Sequence, residues 1–142
     1  MPLVRTVYVS TVADSKDSAA LPQIMKLAQA NNEVHNLTGL LVFNHKYYLQ
    51  VIEGGRKAVN SLLSNLYRDP RHVDMMVLGL EEITQRAFPD WGMQFVPAAS
   101  ATREIMLRNG VAREFDPYGM SAASALGFLR DMHGVALAKS AV

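Results

Sequence analysis

Gln50 occupies the middle of an apolar stretch, YYLQVIEG (47–54), that is typical of a buried strand. A glutamine side chain has two donors and two acceptor sites, and burying it without partners costs about 1–3 kcal/mol. Tyr8 lies in a second such stretch near the N-terminus, and Asn31 and Asn32 close a helical pattern. One phenol and three amides in apolar surroundings could therefore bind one another, or together bind a ligand.

These polar residues admit two interpretations. In the first, the tyrosine hydroxyl and the buried glutamine bind each other, with an asparagine at a helix C-terminus, as in ordinary satisfied networks. In the second, the amides recognise a planar heteroaromatic ligand, because the edge of such a ligand alternates donors and acceptors as an amide does. Spacing alone does not decide between the two, and it names no ligand.

The elements that must position these residues follow from hydrophobic periodicity. β-branched and aromatic runs with alternating polarity predict strands, and an apolar period of 3.6 residues predicts helices. The resulting order is β-α-β-β-α-β-β. The strands are predicted at 3–10, 37–44, 47–54, 72–83 and 91–97, and the helices at 18–32 and 56–69.

Six of these elements match an α+β, ferredoxin-like fold, β-α-β-β-α-β, with one helix pair on one face of an antiparallel sheet and an added fifth strand. In that fold the strands of Tyr8 and Gln50 are neighbours at the sheet centre. Their parity directs both side chains to the face under the helix pair.

The opposite face of the sheet is also apolar, since Val7 and Val9 alternate with Tyr8. Two helices predicted in the tail, the longer one capped by Ser121, would cover it. We therefore expect a sheet domain at 1–97 and a helical extension at 98–142 that packs on the sheet.

Composition excludes several classes of function. The 142-residue chain has a net charge of +1 and no basic block, so no nucleic-acid partner is expected. It has no cysteine, which excludes disulfide and thiolate chemistry. No apolar run approaches the ~18 residues of a membrane span, so no membrane association is expected. The N-terminus does not have the form of a signal peptide, and a cytoplasmic protein is the expectation.

The histidines give no sign of a metal site. They are scattered through predicted loops and the tail without metal-ligand spacing, so we predict surface positions and no bound metal. The four are His35, His45, His72 and His133.

Several short motifs, taken together, resemble the BLUF family, the blue-light sensors that use flavin. The resemblance spans about residues 3–97, with the motifs in the right order and spacing. It implies the fold derived above, with flavin held between the two helices on one sheet face. The motifs are Tyr8 with Ser10, NN (31–32), TGLL (38–41), YYLQVIEG (47–54), DPRH (69–72) and RAFPDWGM (86–93).

The resemblance also implies roles for individual residues. Tyr8 is similar to the donor of an electron and a proton to excited flavin, and Gln50 to the amide that bridges the tyrosine hydroxyl and the flavin edge. Trp91 and Met93 resemble a pair that competes for a place near the glutamine and modulates the switch. The cofactor-binding residues implied by the resemblance are Ile24, Asn31, Asn32, Gln50, Asp69, Arg71 and His72.

The cofactor that the resemblance implies is FAD, with FMN or riboflavin as alternatives because the family's pocket holds the ring system. Non-covalent binding is expected, since the chain has no cysteine and no histidine at an evident attachment site. Ala28 and Tyr48 depart from the family's frequent Ser and Phe, which would tune the site without abolishing it.

The leading hypothesis is a blue-light photoreceptor that is not an enzyme. Because little chain follows the predicted sensor, the signal would pass to a separate downstream protein or through a homo-oligomer. Two alternatives stay open: a small ferredoxin-like enzyme of the oxygenase or acyl-phosphate hydrolase type, and a light-insensitive flavin-binding adaptor. The enzyme alternative lacks an Arg-bearing phosphate loop and a histidine well placed to bind haem.

Overall fold

A computed structural model of the chain describes residues 2–13, 21–89, 94–111 and 114–140. Within these ranges the elements follow the predicted order, and two α-helices follow the last strand. The strands are β1 (Leu3–Val12), β2 (Thr38–Phe43), β3 (Tyr47–Gly55), β4 (His72–Ile83) and β5 (Gln94–Pro97). The helices are α1 (Leu21–Val34), α2 (Arg56–Arg68), α3 (Arg103–Arg108) and α4 (Ala122–Ser140).

The strands form one five-stranded sheet in the order β4-β1-β3-β2-β5. β1 pairs antiparallel with both β3 and β4, and β5 runs parallel to β2 as the added edge strand. This is the ferredoxin-like arrangement with one strand added, so the predicted α+β fold is confirmed. Residues 18–20 and 91–93, the first residues of one predicted helix and of one predicted strand, lie outside the described residues.

The register between the two central strands places Tyr8 directly opposite Gln50. The hairpin that leads into β3 begins at Asn44, whose side-chain Oδ1 accepts the backbone N–H of Lys46 at 2.8 Å and of Tyr47 at 2.7 Å. Such a side-chain turn sets where β3 begins and hence its register against β2. The predicted neighbourhood of Tyr8 and Gln50 is thereby confirmed.

Each face of the sheet carries its own apolar cluster. On one face Val4, Tyr8 and Ile52 pack with Val59 and Leu63 of α2. On the other face the alternate residues of β1 and β3 pack with α3 and α4, as predicted from their parity. The cluster on this second face includes Val7, Val9, Leu49, Val51, Ile105, Phe128, Leu129 and Met132.

The N-terminus of α4 has the predicted serine cap. Ser121 Oγ accepts the backbone N–H of Ser124 at 3.0 Å, and Ser124 Oγ accepts the N–H of Ser121 at 3.2 Å. The reciprocal pair satisfies donors that would otherwise be unpaired at the helix start. None of the helices within the described ranges combines the length and the apolar character needed to cross a membrane.

The predicted surface position is wrong for His72, and His133 is only partly exposed. His72, the first residue of β4, is buried. His133 on α4 is half-buried, and its ring lies 5.3 Å from the ring of Phe88. The local sequence around both rings is typical of surface positions, whereas packing between distant segments buries His72 and partly covers His133.

We expect Leu129→Ala to lower the free energy of unfolding by about 2–5 kcal/mol, because it removes a fully buried side chain between α4 and the sheet. Leu137→Ala on the same helix is the matched control: Leu137 is 47% exposed, and its loss should cost no more than about 0.5 kcal/mol. Denaturant unfolding measures both. Equal effects of the two substitutions would contradict the packing of α4 on the sheet.

Candidate functional site

A cavity of about 380 Å³ lies on the helix-pair face of the sheet, between α1, α2 and the central strands. Its volume is within the range of about 300–1,000 Å³ typical of small-molecule sites. Most of its surface is apolar, and its polar groups come from two tyrosines, several amides and the segment after α2. It is lined by Tyr8, Leu27, Ala28, Asn31, Asn32, Leu41, Tyr48, Gln50, Leu62, Asn65, Leu66, Asp69, Arg71, His72 and Phe95.

The Tyr8 hydroxyl donates a hydrogen bond to Oε1 of Gln50 inside this cavity. The two residues are 3% and 7% exposed, so the bond is shielded from water. Burial raises the pKa of the Tyr8 phenol well above its ordinary value, and the nearby Tyr48 and Asp69 raise it further. The phenol is therefore neutral at physiological pH and is a donor to the amide.

Two buried amides present unpaired polar atoms to the cavity. The bond from Tyr8 is the one hydrogen bond that the Gln50 side chain makes with the described residues, which leaves its Nε2 amino group without an acceptor. The side chain of Asn32, 3% exposed, likewise has no hydrogen-bond partner among them. Among the described residues, Ser10 Oγ is the one fully buried side-chain polar atom without a partner, so the amide atoms of Gln50 and Asn32 keep access to the space of the cavity and can bind a ligand with complementary polar atoms.

Asp69 and Arg71 form an ion pair at the mouth of the cavity, just after α2. Arg71 donates from Nε to Oδ1 of Asp69 at 2.9 Å, and its backbone N–H donates to the same oxygen at 2.9 Å. The hydrogen bond from the Arg71 side chain lowers the pKa of the Asp69 carboxyl. The pair holds a charged guanidinium, a strong donor, beside the cavity.

His72 lines the cavity next to Tyr8. Its Nε2 lies within hydrogen-bond distance of the Leu66 carbonyl near the C-terminus of α2, and its ring lies 6.4 Å from the Tyr8 ring, edge to face. The Leu66 carbonyl also accepts the backbone N–H of Asp69 at 3.2 Å. These contacts fix the turn that carries the ion pair.

The site residues predicted from the sequence largely converge on this cavity. Of the ten, seven line it: Tyr8, Asn31, Asn32, Gln50, Asp69, Arg71 and His72. The other three are not placed: Trp91 and Met93 lie outside the described residues, and so does the side chain of Ile24.

Sequence reasoning did not assign the apolar residues that line the cavity to the site. Leu62 and Leu66 lie one turn apart on α2, and Leu41 and Phe95 lie on neighbouring strands β2 and β5. The amphipathic period of α2 marks a buried face without saying that part of this face lines a cavity. Ala28 and Tyr48, the two departures from the family pattern, also line the cavity.

The residues present fit a planar heteroaromatic group such as the flavin ring system. Apolar side chains enclose a slot of suitable volume, and the unpaired polar atoms of Gln50 and Asn32 face into it. A ring with donors and acceptors on one edge would satisfy both amides.

The chain matches the BLUF family model, described as sensors of blue-light using FAD, over residues 3–94. The protein therefore belongs to the BLUF family of blue-light sensors.

Individual relatives agree with this assignment. The chain is 29% identical over 105 residues to photoactivated adenylate cyclase subunit beta of Euglena longa, a match that covers 73% of this chain and 12% of that protein. It is 24% identical over 106 residues to the blue light- and temperature-regulated antirepressor BluF of Escherichia coli (strain K12), covering 75% of this chain and 26% of that protein. The chain thus spans only a small part of these curated relatives.

Solved structures of smaller proteins match over nearly the whole chain. The dark-state structure of BlrB, a BLUF protein, aligns with a TM-score of 0.77 and 29% identity, covering 96% of this chain and 97% of that one. The photo-activated state of BlsA aligns with a TM-score of 0.80 and 23% identity over 92% and 94% of the two chains, which shows a shared fold.

We expect the Tyr8 phenol to stay protonated in the folded protein at about pH 11, roughly one unit above the ordinary phenol pKa. Burial raises its pKa, so its contribution to the free energy of unfolding is complete below about pH 10 and is lost as the pH rises through the folded-state pKa. The phenolate absorbance of the wild type minus that of Tyr8→Phe, followed against pH, measures this. For the two proteins unfolded in guanidinium chloride, this absorbance difference should show one phenol that titrates in the ordinary range. If the two folded proteins also show a phenol that titrates in the ordinary range, the prediction is contradicted.

Proposed function

We propose that this protein is a blue-light photoreceptor that holds flavin non-covalently in the cavity and switches through Tyr8 and Gln50. The observation that carries the proposal is the buried hydrogen bond from the Tyr8 hydroxyl to Gln50 Oε1, beside a cavity into which the Gln50 Nε2 and Asn32 face unpaired. An ordinary satisfied network of these residues would leave no such atoms, so the arrangement favours a ligand over internal pairing.

The residues that line the cavity suit distinct parts of a flavin. Gln50 and Asn32 offer amide groups to the polar edge of the ring, with Asn31 at the same end of α1. Asp69, Arg71 and His72 follow from the resemblance as the pyrimidine side of the site, and Ile24 as a residue that packs on the ring. FAD is the proposed cofactor, in keeping with the family description, and FMN or riboflavin would satisfy the same ring-binding groups.

Bound flavin supplies the absorption of blue light and, once excited, the power to oxidise a neutral tyrosine. Tyr8 is suited to give up that electron because it is buried in the cavity and already bonded through its hydroxyl. A phenol that loses an electron becomes strongly acidic, and the bond to Gln50 Oε1 is the path open to its proton.

Gln50 is the residue whose side chain stays altered after the electron and the proton have moved. The two ends of an amide differ in polarity, so rotation or tautomerisation exchanges donor for acceptor at nearly the same atom positions. After the electron and proton return to Tyr8, a turned Gln50 offers the cavity a different hydrogen bond, and a red shift of absorption follows. Trp91 and Met93, on the segment before β5, are proposed to modulate this switch without being essential to it.

We propose that the chain acts as a sensor and not as an enzyme, and that it signals to a downstream protein or through a homo-oligomer. The similar Euglena protein is named as a photoactivated adenylate cyclase subunit and the Escherichia coli one as an antirepressor, so related sensors occur with different outputs. The apolar contacts of α3 and α4 with the sheet make the tail a plausible route from the site to a partner. No nucleic-acid or membrane partner is proposed, and the division of the chain at residue 97 stays a prediction.

Tyr8→Phe and Gln50→Leu should both bind flavin and both fail to form the red-shifted state. The first substitution removes only the hydroxyl that gives the proton, and the second keeps the volume but removes the amide. Because the two act in series, the double variant should be no worse than either single one, unlike independent sites whose effects add. Absorption spectra before and after blue light measure the switch.

Tyr67→Phe is the matched control for these variants, since it removes a hydroxyl from an exposed tyrosine on α2 and should leave the red shift unchanged. Flavin content is measured for every variant, so that loss of the switch is distinguished from loss of cofactor. A Gln50→Leu protein that binds flavin and still shows a reversible red shift would show that Gln50 is only a structural amide.

Flavin should leave the protein completely on denaturation, because the chain has no cysteine to form a thioether. Acid precipitation followed by absorbance of the supernatant and of the redissolved pellet measures the partition. Flavin colour that stays with the pellet after repeated washing would contradict non-covalent binding.

A further inference from the structure

Glu53 is a fully buried carboxylate on the face of the sheet opposite the cavity. Its Oε2 accepts from Arg5 Nε at 2.8 Å and from the backbone N–H of Ala87 at 3.1 Å. Its Oε1 accepts the backbone N–H of Phe88 at 2.7 Å. One carboxylate on β3 therefore holds two consecutive peptide groups of the connection between β4 and β5.

Arg86, in the same connection, also binds to β3 and to the residues before and in β2. Its Nη1 donates to the Glu53 backbone carbonyl at 2.9 Å and to Thr38 Oγ1 at 2.7 Å. Its Nη2 donates to the Asn36 carbonyl at 2.9 Å. Glu53 thus binds the connection twice: its side chain accepts from Ala87 and Phe88, and its backbone carbonyl accepts from Arg86. The connection is therefore held to β3, the strand that bears Gln50.

Burying charge here is not an efficient way to gain stability. Removing an ion pair from water costs several kcal/mol, and well-packed apolar residues often stabilise a core equally well. Apolar side chains could not, however, accept the peptide N–H groups of Ala87 and Phe88. The buried carboxylate therefore has a positioning role that an apolar core could not fill.

Glu53 positions Phe88, and Phe88 contacts α4. Phe88 is fully buried in the cluster between the sheet and the tail helices, and its ring packs edge to face on that of His133, with centroids 5.3 Å apart. Glu53 lies three residues after Gln50 on β3. A continuous set of short contacts thus runs from the switch strand through Glu53 and Phe88 to His133.

We propose that Glu53 and Arg86 are positioning residues that couple the strand carrying Gln50 to Phe88 and, through it, to α4. The inference rests on the proposed photoreceptor function: a rearrangement at Gln50 shifts β3, and the connection follows because it is held to that strand. Packed interfaces convert small displacements of this kind into discrete changes of packing. The packing of Phe88 on α4 is the interface that changes.

The test compares hydrogen–deuterium exchange of α4 in darkness and under blue light, with the absorption spectrum recorded on the same samples. Glu53→Gln keeps the shape of the side chain but turns one acceptor into a donor that faces other donors. Glu81→Gln is the control, since Glu81 is the exposed second partner of Arg5, at 2.9 Å. Arg86→Lys is the second variant, which keeps the charge but cannot reach all three oxygens, and it decides the test if Glu53→Gln does not fold.

We expect light to change the exchange of α4 in the wild type and in Glu81→Gln. In Glu53→Gln and Arg86→Lys the red shift should remain while the light-dependent change in α4 is lost. A purely structural role would instead raise α4 exchange equally in darkness and light and leave the difference between them intact.

Two results would overturn the coupling while leaving the photoreceptor function standing: a red shift without any change at α4 in the wild type, or an unchanged light-dependent difference in a folded Glu53→Gln or Arg86→Lys protein. The absence of a red shift in the flavin-loaded wild type would overturn the proposed function and the coupling together.

Discussion

The antiparallel register of β1 against β3 is the constraint on which the site depends. It sets Tyr8 opposite Gln50, so that the phenol reaches the amide on one face of the sheet. Side chains on a strand alternate between faces, so a slip of one residue would turn Gln50 toward the tail helices and bring Val51 under the helix pair. The same register gathers Val7 and Val9 beneath α4, so the core and the site are specified together.

The polar groups of the site differ in whether they have a partner within the protein. The Tyr8 phenol is bonded to the Gln50 amide in a low-dielectric site, whereas the Asn32 amide lines the cavity and can bind a ligand. A flavin held by these amides would bind the folded state alone, and cofactor binding would therefore stabilise the fold. The cavity itself lies between two helices and the sheet centre. On the opposite face, Glu53 and Phe88 are the residues through which the proposed coupling would carry a change in β3 to α4.

The elements, their order and the two-sided burial of the central strands could be predicted because periodicity reports them locally. The ferredoxin-like order then predicted that Tyr8 and Gln50 are neighbours. The burial of His72 could not be predicted in this way, since its sequence neighbours Arg71 and Val73 are exposed and the residues that cover it, Leu66 and Tyr8, are distant in the sequence. The apolar residues of the cavity were missed because an apolar position looks the same whether it meets another side chain or a cavity.

What the sequence determined by itself was the pattern: which residues alternate, where turns interrupt them, and which polar groups occur where burial was expected. What only the tertiary structure decided was which distant groups meet. Glu53 follows the apolar residues of β3 and could equally have faced solvent, yet it accepts peptide N–H groups more than thirty residues away, at Ala87 and Phe88. Local propensity cannot encode such a contact, because its energy exists only once β3, the β4–β5 connection and α4 have packed and excluded water from the carboxylate.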